Sequence, residues 1–211
     1  MMTNTQINQI QNTITELYND SKNDFLKVIP GVAKSVFRPM QPSDFRNAYL
    51  AISEEQGKVL TDIIKEHKYK NIVEFGTSFG ISTLFLAQGV LETGGRIITT
   101  ELIPSKAEKA KENFENAGVS DLIEVRIGDA MKTLKDHNEP VDLLLLDGWK
   151  DLYLDVFQLL EPNFHANTII YVDNADMSDT KVFLQTITQN ETYRSQEIHH
   201  GKAVLITTKN R

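Results

Sequence analysis

Two short runs of this chain put hard oxygen ligands and a lysine where a cation-assisted proton transfer could take place. Asp147-Gly148-Trp149-Lys150 follows the apolar run 141–146, and Asp173-Asn174 follows the apolar run 168–172. If those runs are neighbouring β-strands, about 4.8 Å apart, Asp147, Asp173 and Asn174 can converge on one cation. Two carboxylates and an amide oxygen suit Mg2+, which keeps open octahedral positions for water and substrate. Lys150 would lie beside that cation, where an ammonium gives up its proton more readily and can serve as a base. The plainer alternative is a set of turn residues with a surface lysine. Trp149, the only tryptophan, is either a flat wall for an aromatic substrate or a packing residue.

A second group lies further upstream. Val73-Glu74-Phe75 ends a β-favouring run, glycines follow at Gly76 and Gly80, and Ile81 can start a helix. Such a turn leaves no side chain where a nucleotide-like ligand must touch backbone, and it aims helix N–H groups into the gap. Gly76, Thr77 and Gly80 are therefore expected against a cofactor. Glu101, closing the run 96–101, is placed to accept both hydroxyls of a ribose. Asp129, after 123–127, either addresses an adenine edge or caps the next helix. This set fits a nicotinamide cofactor or S-adenosylmethionine. The spacing lacks the third glycine of dinucleotide turns, which favours S-adenosylmethionine, a ligand without pyrophosphate. Asp147 is expected to face the cofactor as well as the cation.

The elements that must position these residues alternate. Strands are predicted over 71–75, 96–101, 123–127, 141–146 and 168–172, and helices over 80–91, 104–117, 130–135 and 151–160. Strand–helix alternation means a parallel sheet with helices on both faces, and ligands bind outside the carboxyl ends of its strands. A helix near 179–189 precedes strands over 193–198 and 203–208, whose short link permits only an antiparallel hairpin. The expected fold class is α/β, a seven-stranded mixed sheet of five parallel strands plus that hairpin.

Upstream, Ile7, Ile10, Ile14, Leu17 and Tyr18 share one helical stripe, and Pro30, Gly31, Pro39 and Pro42 break up 25–43. Ser43 or Asp44 is read as the cap of a second helix that carries Leu50, Ile52, Leu60, Ile63 and Ile64 and ends near His67. The chain thus divides into an N-terminal helical extension or lid, 1–43, and a domain over 44–211. The stripe must be buried on its own domain or on a second subunit, the latter a homodimer through the N-terminal helices.

A formal net charge of −7 opposes a nucleic-acid partner, which needs a basic face. No apolar run approaches the roughly 20 residues of a membrane span, and the N-terminus lacks the basic and apolar parts of a signal peptide. Zero cysteines exclude disulfides, thiolate metal sites and cysteine nucleophiles. The expectation is a cytoplasmic protein. Lys106, Lys109 and Lys111, interleaved with Glu108 and Glu112, read as a solvated helix face with i,i+3 and i,i+4 pairs. His67, His137, His165, His199 and His200 are assigned exposed or terminus-stabilising roles.

The runs VEFGTSFGIST and ITTE, and above all LLLLDGWKDLY followed by IIYVDNAD, resemble the class I, metal-dependent O-methyltransferases similar to catechol O-methyltransferase. The resemblance runs from about Glu55-Gln56-Gly57-Lys58 to the C-terminal hairpin and implies the Rossmann-like methyltransferase fold. It implies Asp147, Asp173 and Asn174 as metal ligands, Lys150 as general base and Glu101 on the cofactor ribose. Glu74, Gly76 and Ser82 would line the methionine end, and segments before the domain would cover the acceptor pocket. Gly148 stands where the family pattern has a histidine. Catechol enzymes also use a carboxylate just before the final hairpin, where this chain offers Glu191, Arg194 and Glu197. The expected activity is methyl transfer from S-adenosylmethionine to a hydroxyl of a small, catechol-like acceptor, with Mg2+. Rival readings are a metal-independent methyltransferase, a nicotinamide-dependent oxidoreductase and a non-catalytic binding protein on the same fold.

Overall fold

The computed structural model describes residues 4–22, 51–189 and 191–208. Its centre is a seven-stranded sheet in the order β3-β2-β1-β4-β5-β7-β6. The strands are β1 (Asn71–Phe75), β2 (Arg96–Glu101), β3 (Ile123–Ile127), β4 (Val141–Leu146), β5 (Phe164–Asp173), β6 (Tyr193–Ile198) and β7 (Ala203–Thr208). β1 to β5 pair in parallel, β7 runs antiparallel to β5, and β6 antiparallel to β7. The mixed sheet expected from the alternation is the one observed.

Alternate residues of the buried strands feed two cores, as period-2 geometry requires. Ile72, Ile97, Leu143, Leu145 and Tyr171 face α1 (Asn4–Ser21), α2 (Glu54–His67), α3 (Ile81–Thr93) and α4 (Pro104–Asn116). Val73, Ile98, Leu144, Leu146 and Val172 face the other way, towards α5 (Ala130–Thr133), α6 (Tyr153–Leu160) and α7 (Ser178–Thr188). From β1 the chain builds outward through β2 and β3, then returns to add β4 and β5 on the opposite side of β1. That reversal opens a crevice between the carboxyl ends of β1 and β4.

Register decides what lines it. Thr99, Glu74, Leu145 and Tyr171 lie side by side across β2, β1, β4 and β5. Two residues further along each strand, on the same face, come Glu101, Gly76, Asp147 and Asp173. The strand ends thus bring a row of acids interrupted by one glycine to the rim of the sheet.

Three elements differ from the sequence reading. α2 begins at Glu54, not near Ser43 or Asp44, which lie outside the described residues. Its cap is Ser53, whose side chain accepts the Gln56 N–H while the Gln56 side chain accepts the Ser53 N–H, a reciprocal capping box. Ile52 therefore precedes the helix. β5 starts at Phe164 rather than Thr168, because the register jumps from Val141–Phe164 to Leu143–Ile169 and the residues between bulge from the ladder. No alternation of apolar residues marks such a bulge. The helix after β4 starts at Tyr153, with Lys150–Leu152 wound as a separate 3-10 turn.

α1 lays Ile10, Ile14 and Leu17, all buried, on the same core as α3 and α4. These three residues of the stripe are thus buried on the chain's own domain, while Ile7 and Tyr18 are half-buried. Near the end of α1, the Tyr18 hydroxyl donates to the Ile52 carbonyl at 2.8 Å. Phe25, Val36, Phe37 and Met40, on which the lid expectation rests, and the boundary at 43/44 lie outside the described residues. Among the described residues no helix is long and apolar enough to cross a membrane.

Candidate functional site

The glycine turn is built by backbone approach. Gly76 and Thr77 both donate N–H groups to the Thr100 carbonyl, at 3.2 and 3.0 Å, holding the turn against the end of β2. A Cβ on Gly76, where φ is +105°, would stand 2.7 Å from the Asp147 carbonyl and the Gly148 backbone. The turns after β1 and β4 therefore touch across the crevice. Gly80, at φ +89°, begins α3 without a side-chain cap. The first turn of that helix thus has no side-chain acceptor of its own. One depression over this turn is lined by Gly76, Thr77, Ser78, Phe79, Ser82 and Asp147.

Glu74 is not among those lining residues. It is fully buried, and its carboxylate accepts the hydroxyls of Ser82 (2.5 Å), Thr83 (2.5 Å) and Thr99 (2.6 Å). Burial raises its carboxyl above the usual range, and the three hydroxyl donors pull it back down. The structure thus uses Glu74 to tie β1, β2 and the start of α3 together beneath the turn. Glu101 is nearly buried and accepts the N–H groups of Ser78 and Ile103, each at 2.8 Å. Burial raises its carboxyl, against the Ile103 N–H, the Lys106 charge and the Ser78 N–H. Asp129 caps α5, accepting the Met131 N–H at 3.0 Å, so the capping alternative is realised.

Asp147 and Asp173 meet as the register requires. Burial first, then the facing Asp173 carboxylate, holds the Asp147 carboxyl well above the ordinary carboxylate range, with the Lys150 ammonium opposing. Lys150 Nζ stands 3.9 Å from Asp147 Oδ1, donates to the Gly148 carbonyl at 2.9 Å and lies 5.6 Å from the centre of the Tyr153 ring. Asn174 takes the left-handed conformation (φ 54°) and is half-buried. It borders a second depression with Asp173, Gln56, Tyr18, Ser21 and Lys202. Ala51 and Ile52 line both depressions. Trp149 sits half-exposed at the rim, its indole N–H donating to Asp151 at 3.3 Å.

The donor chemistry fits a hard divalent cation. Two carboxylates forced together in a nearly dry place repel each other, and a cation between them would relieve that repulsion. Among the described residues no three His, Cys, Asp or Glu side chains gather as a metal cage. A cation here would rest on Asp147, Asp173 and the amide of Asn174.

Gly148 has a local reason. A Cβ there would lie 2.6 Å from the Phe75 ring, so this chain cannot carry the histidine of the family pattern without moving Phe75. Glu191, Arg194 and Glu197 are exposed, and none lines either depression.

Sequence reasoning missed several residues. Lys106 belongs to no solvated face. It is buried, its Nζ donates to Ser78 Oγ at 3.3 Å, and it lies 5.2 Å from the Phe79 ring centre. Its spacing to Ala110 and Asn113 on the buried side of α4 carried that signal. Lys109–Glu112 and Lys111–Glu108 do form the expected i,i+3 pairs. His199 is largely buried, 3.6 Å from Glu55, and not merely a turn residue. Gln56 donates to Asp173 Oδ1 at 2.6 Å, and no motif announced it beyond the Ser-x-x-Gln of the capping box.

Comparison with known proteins bears on this arrangement. A catechol O-methyltransferase of Niastella koreensis is 33% identical over 144 residues, covering 66% of this chain and 64% of that protein. One of Mycobacterium tuberculosis is 35% identical over 126 residues, covering 59% and 57%. The chain thus spans less than two thirds of the length of these relatives. The O-methyltransferase from Bacillus cereus, solved in complex with SAH, shares the fold with a TM-score of 0.69 at 24% identity, over 86% of this chain and 97% of that one. Residues 40–202, most of the chain and all five parallel strands, match a family described as O-methyltransferase, and this chain belongs to that family.

Proposed function

We propose that this chain transfers a methyl group from S-adenosylmethionine to a hydroxyl of a small, catechol-like acceptor, using a divalent cation such as Mg2+. The observation that carries the reading is the pairing of Asp147 with Asp173 at adjacent strand ends, with Lys150 Nζ 3.9 Å from Asp147. The names of the relatives support the acceptor class.

S-adenosylmethionine would supply an electrophilic sulfonium methyl. A cation held by Asp147, Asp173 and Asn174 would lower the pKa of the acceptor hydroxyl, ordinarily about 10 for a phenol. The rest is done by the chain. Glu101 offers ribose hydroxyls the lone pairs not used by Ser78 and Ile103, while Gly76, without a side chain, leaves room beside them in a turn that the Gly76 and Thr77 N–H groups hold against β2. Ser82 contributes from the start of α3. Glu74 serves from below, by fixing the turn. Asp129 serves through its cap, which fixes the backbone where an adenine edge would lie. Lys150 takes the acceptor proton at Nζ, and its bond to the Gly148 carbonyl keeps it beside Asp147. Acid–base work is small, so most of the acceleration comes from holding the reacting atoms in line. Tyr18 and Ser21 border the acceptor side, which suits residues 1–43 as a lid that excludes water and selects the acceptor. A net charge of −7 suits a small-molecule acceptor rather than nucleic acid, and a chain without cysteine suits the cytoplasm.

Assaying catechol-containing acids, simple catechols and non-aromatic alcohols with S-adenosylmethionine tests this reading. Methylation of catechols in Mg2+ that stops in EDTA is the expected result. Undiminished methylation in EDTA would establish the metal-independent alternative, and transfer confined to non-aromatic alcohols would overturn the acceptor class.

A further inference from the structure

We infer that Gln56 is a positioning residue for Asp173, a single amide that fixes the carboxylate and at the same time closes the N-terminus of α2. The inference rests on the proposed role of Asp173 as a cation ligand. The two ends of the Gln56 amide have opposite demands, and both are met. Its Oε1 accepts the Ser53 N–H at 2.9 Å, and its Nε2 donates to Asp173 Oδ1 at 2.6 Å. Turning the amide over would set oxygen against carboxylate and N–H against N–H, so its orientation is determined by its partners. The residue is 7% exposed, so these bonds are largely withdrawn from water.

The packing around it points the same way. Tyr171, two residues before Asp173 and on the same face of β5, is fully buried. Its hydroxyl faces Gln56 and Asp173 without a well-formed hydrogen bond of its own. Asp173 is thus buried to 4% exposure above Tyr171, with Gln56 donating to its Oδ1 from α2. Gln56 occupies one carboxylate oxygen and leaves the other clear of itself. A glutamate there would set a third carboxylate against Asp147 and Asp173, whereas an amide donates without adding charge. Donors of this kind behind a metal-binding carboxylate orient it, and their loss typically weakens metal affinity about 10–100-fold. Because the same amide caps α2, cation binding at Asp173 is mechanically linked to Ala51 and Ile52, the residues just before that helix that border both depressions.

Calorimetric titration of Mn2+ into the full chain tests this, with S-adenosylmethionine affinity read in parallel as a check on folding. Gln56→Leu, similar in volume but without a donor, should weaken Mn2+ binding about 10–100-fold. Ile64→Val, which thins the packing of α2 on Gly89 without reaching Asp173, should leave Mn2+ affinity as in the wild type. On the wild-type chain, the Gln56 side-chain amide resonances should shift when diamagnetic Mg2+ is added, a readout that does not depend on the variant folding. Equal Mn2+ affinity in Gln56→Leu and wild type, or amide resonances unmoved at saturating Mg2+, would overturn the inference alone. A wild-type chain that binds no Mn2+ would overturn the cation reading and this inference with it.

Discussion

Replacing Glu74 by alanine separates a scaffold from a ligand contact. The family resemblance places Glu74 at the methionine end of the cofactor, while the structure buries it completely under three hydroxyls. In Glu74→Ala, Thr99 keeps its 2.6 Å contact with Thr77, but Ser82 and Thr83 lose their acceptor in a closed space. Each buried polar group left unsatisfied costs about 1–3 kcal/mol, so the substitution should cost about 2–6 kcal/mol. That is a large part of the 5–15 kcal/mol typical of a whole domain. Glu74→Gln should behave differently. An amide of the same shape can accept from one hydroxyl and donate to the others after they rotate, and it no longer buries a charge. Its cost should stay below about 1 kcal/mol. Urea denaturation measures both, and calorimetry gives the S-adenosylmethionine affinity of each folded variant. The reasoning fails if Glu74→Ala costs less than about 1 kcal/mol. It also fails if Glu74→Gln is fully stable yet loses S-adenosylmethionine at least tenfold, which would make the carboxylate a direct ligand contact.

Further expectations concern charge and proton transfer. Because burial and Asp173 raise the Asp147 carboxyl in the folded chain, the folded state holds a proton that the unfolded state releases. The stability this gives is present in acid and is lost as pH rises from the ordinary Asp value through the raised one. The thermal midpoint in EDTA should therefore be higher near roughly pH 5 than near roughly pH 8, and saturating Mg2+ should narrow that gap; a flat profile would contradict it. Lys150→Ala should lower kcat about 10²–10⁴-fold with little change in cofactor affinity. Lys150→Arg should not restore it, since guanidinium keeps its proton, and near-normal turnover in the arginine variant would demote Lys150 to a positioning charge. Glu101→Ala should weaken S-adenosylmethionine binding by about 1.5–3 kcal/mol, with calorimetry as the check; unchanged affinity would remove Glu101 from the ribose site.

Much of this was legible because the relevant signals are local or periodic. Alternating apolar runs marked the strands, and the fixed period of a strand then carried Glu101, Gly76, Asp147 and Asp173 onto one edge. Side-chain partners across long sequence separation were not legible. Gln56 and Asp173 are 117 residues apart and meet only because α2 packs over the face that Tyr171 and Asp173 share. The burial of Glu74 was equally hidden, since a strand-ending acid looks the same whether it faces a ligand or three hydroxyls. The charges around Lys106 suggest a solvated face, but its helical phase with Ala110 and Asn113 places it on the buried side of α4. The β5 bulge has no signature in composition, and Ser43 and Asp44 are as good cap residues by type as Ser53, whose Ser-x-x-Gln box sets the helix start.

The central claim is that Asp147, Asp173 and Asn174 together hold a divalent cation. Crystals grown with Mn2+ and S-adenosylmethionine, measured at a wavelength where manganese scatters anomalously, address it most directly. The account predicts one strong anomalous peak within coordination distance of both carboxylates and the Asn174 amide oxygen, lost in Asp173→Ala crystals. Density for S-adenosylmethionine over the Gly76 turn with no anomalous peak between Asp147 and Asp173 would contradict it.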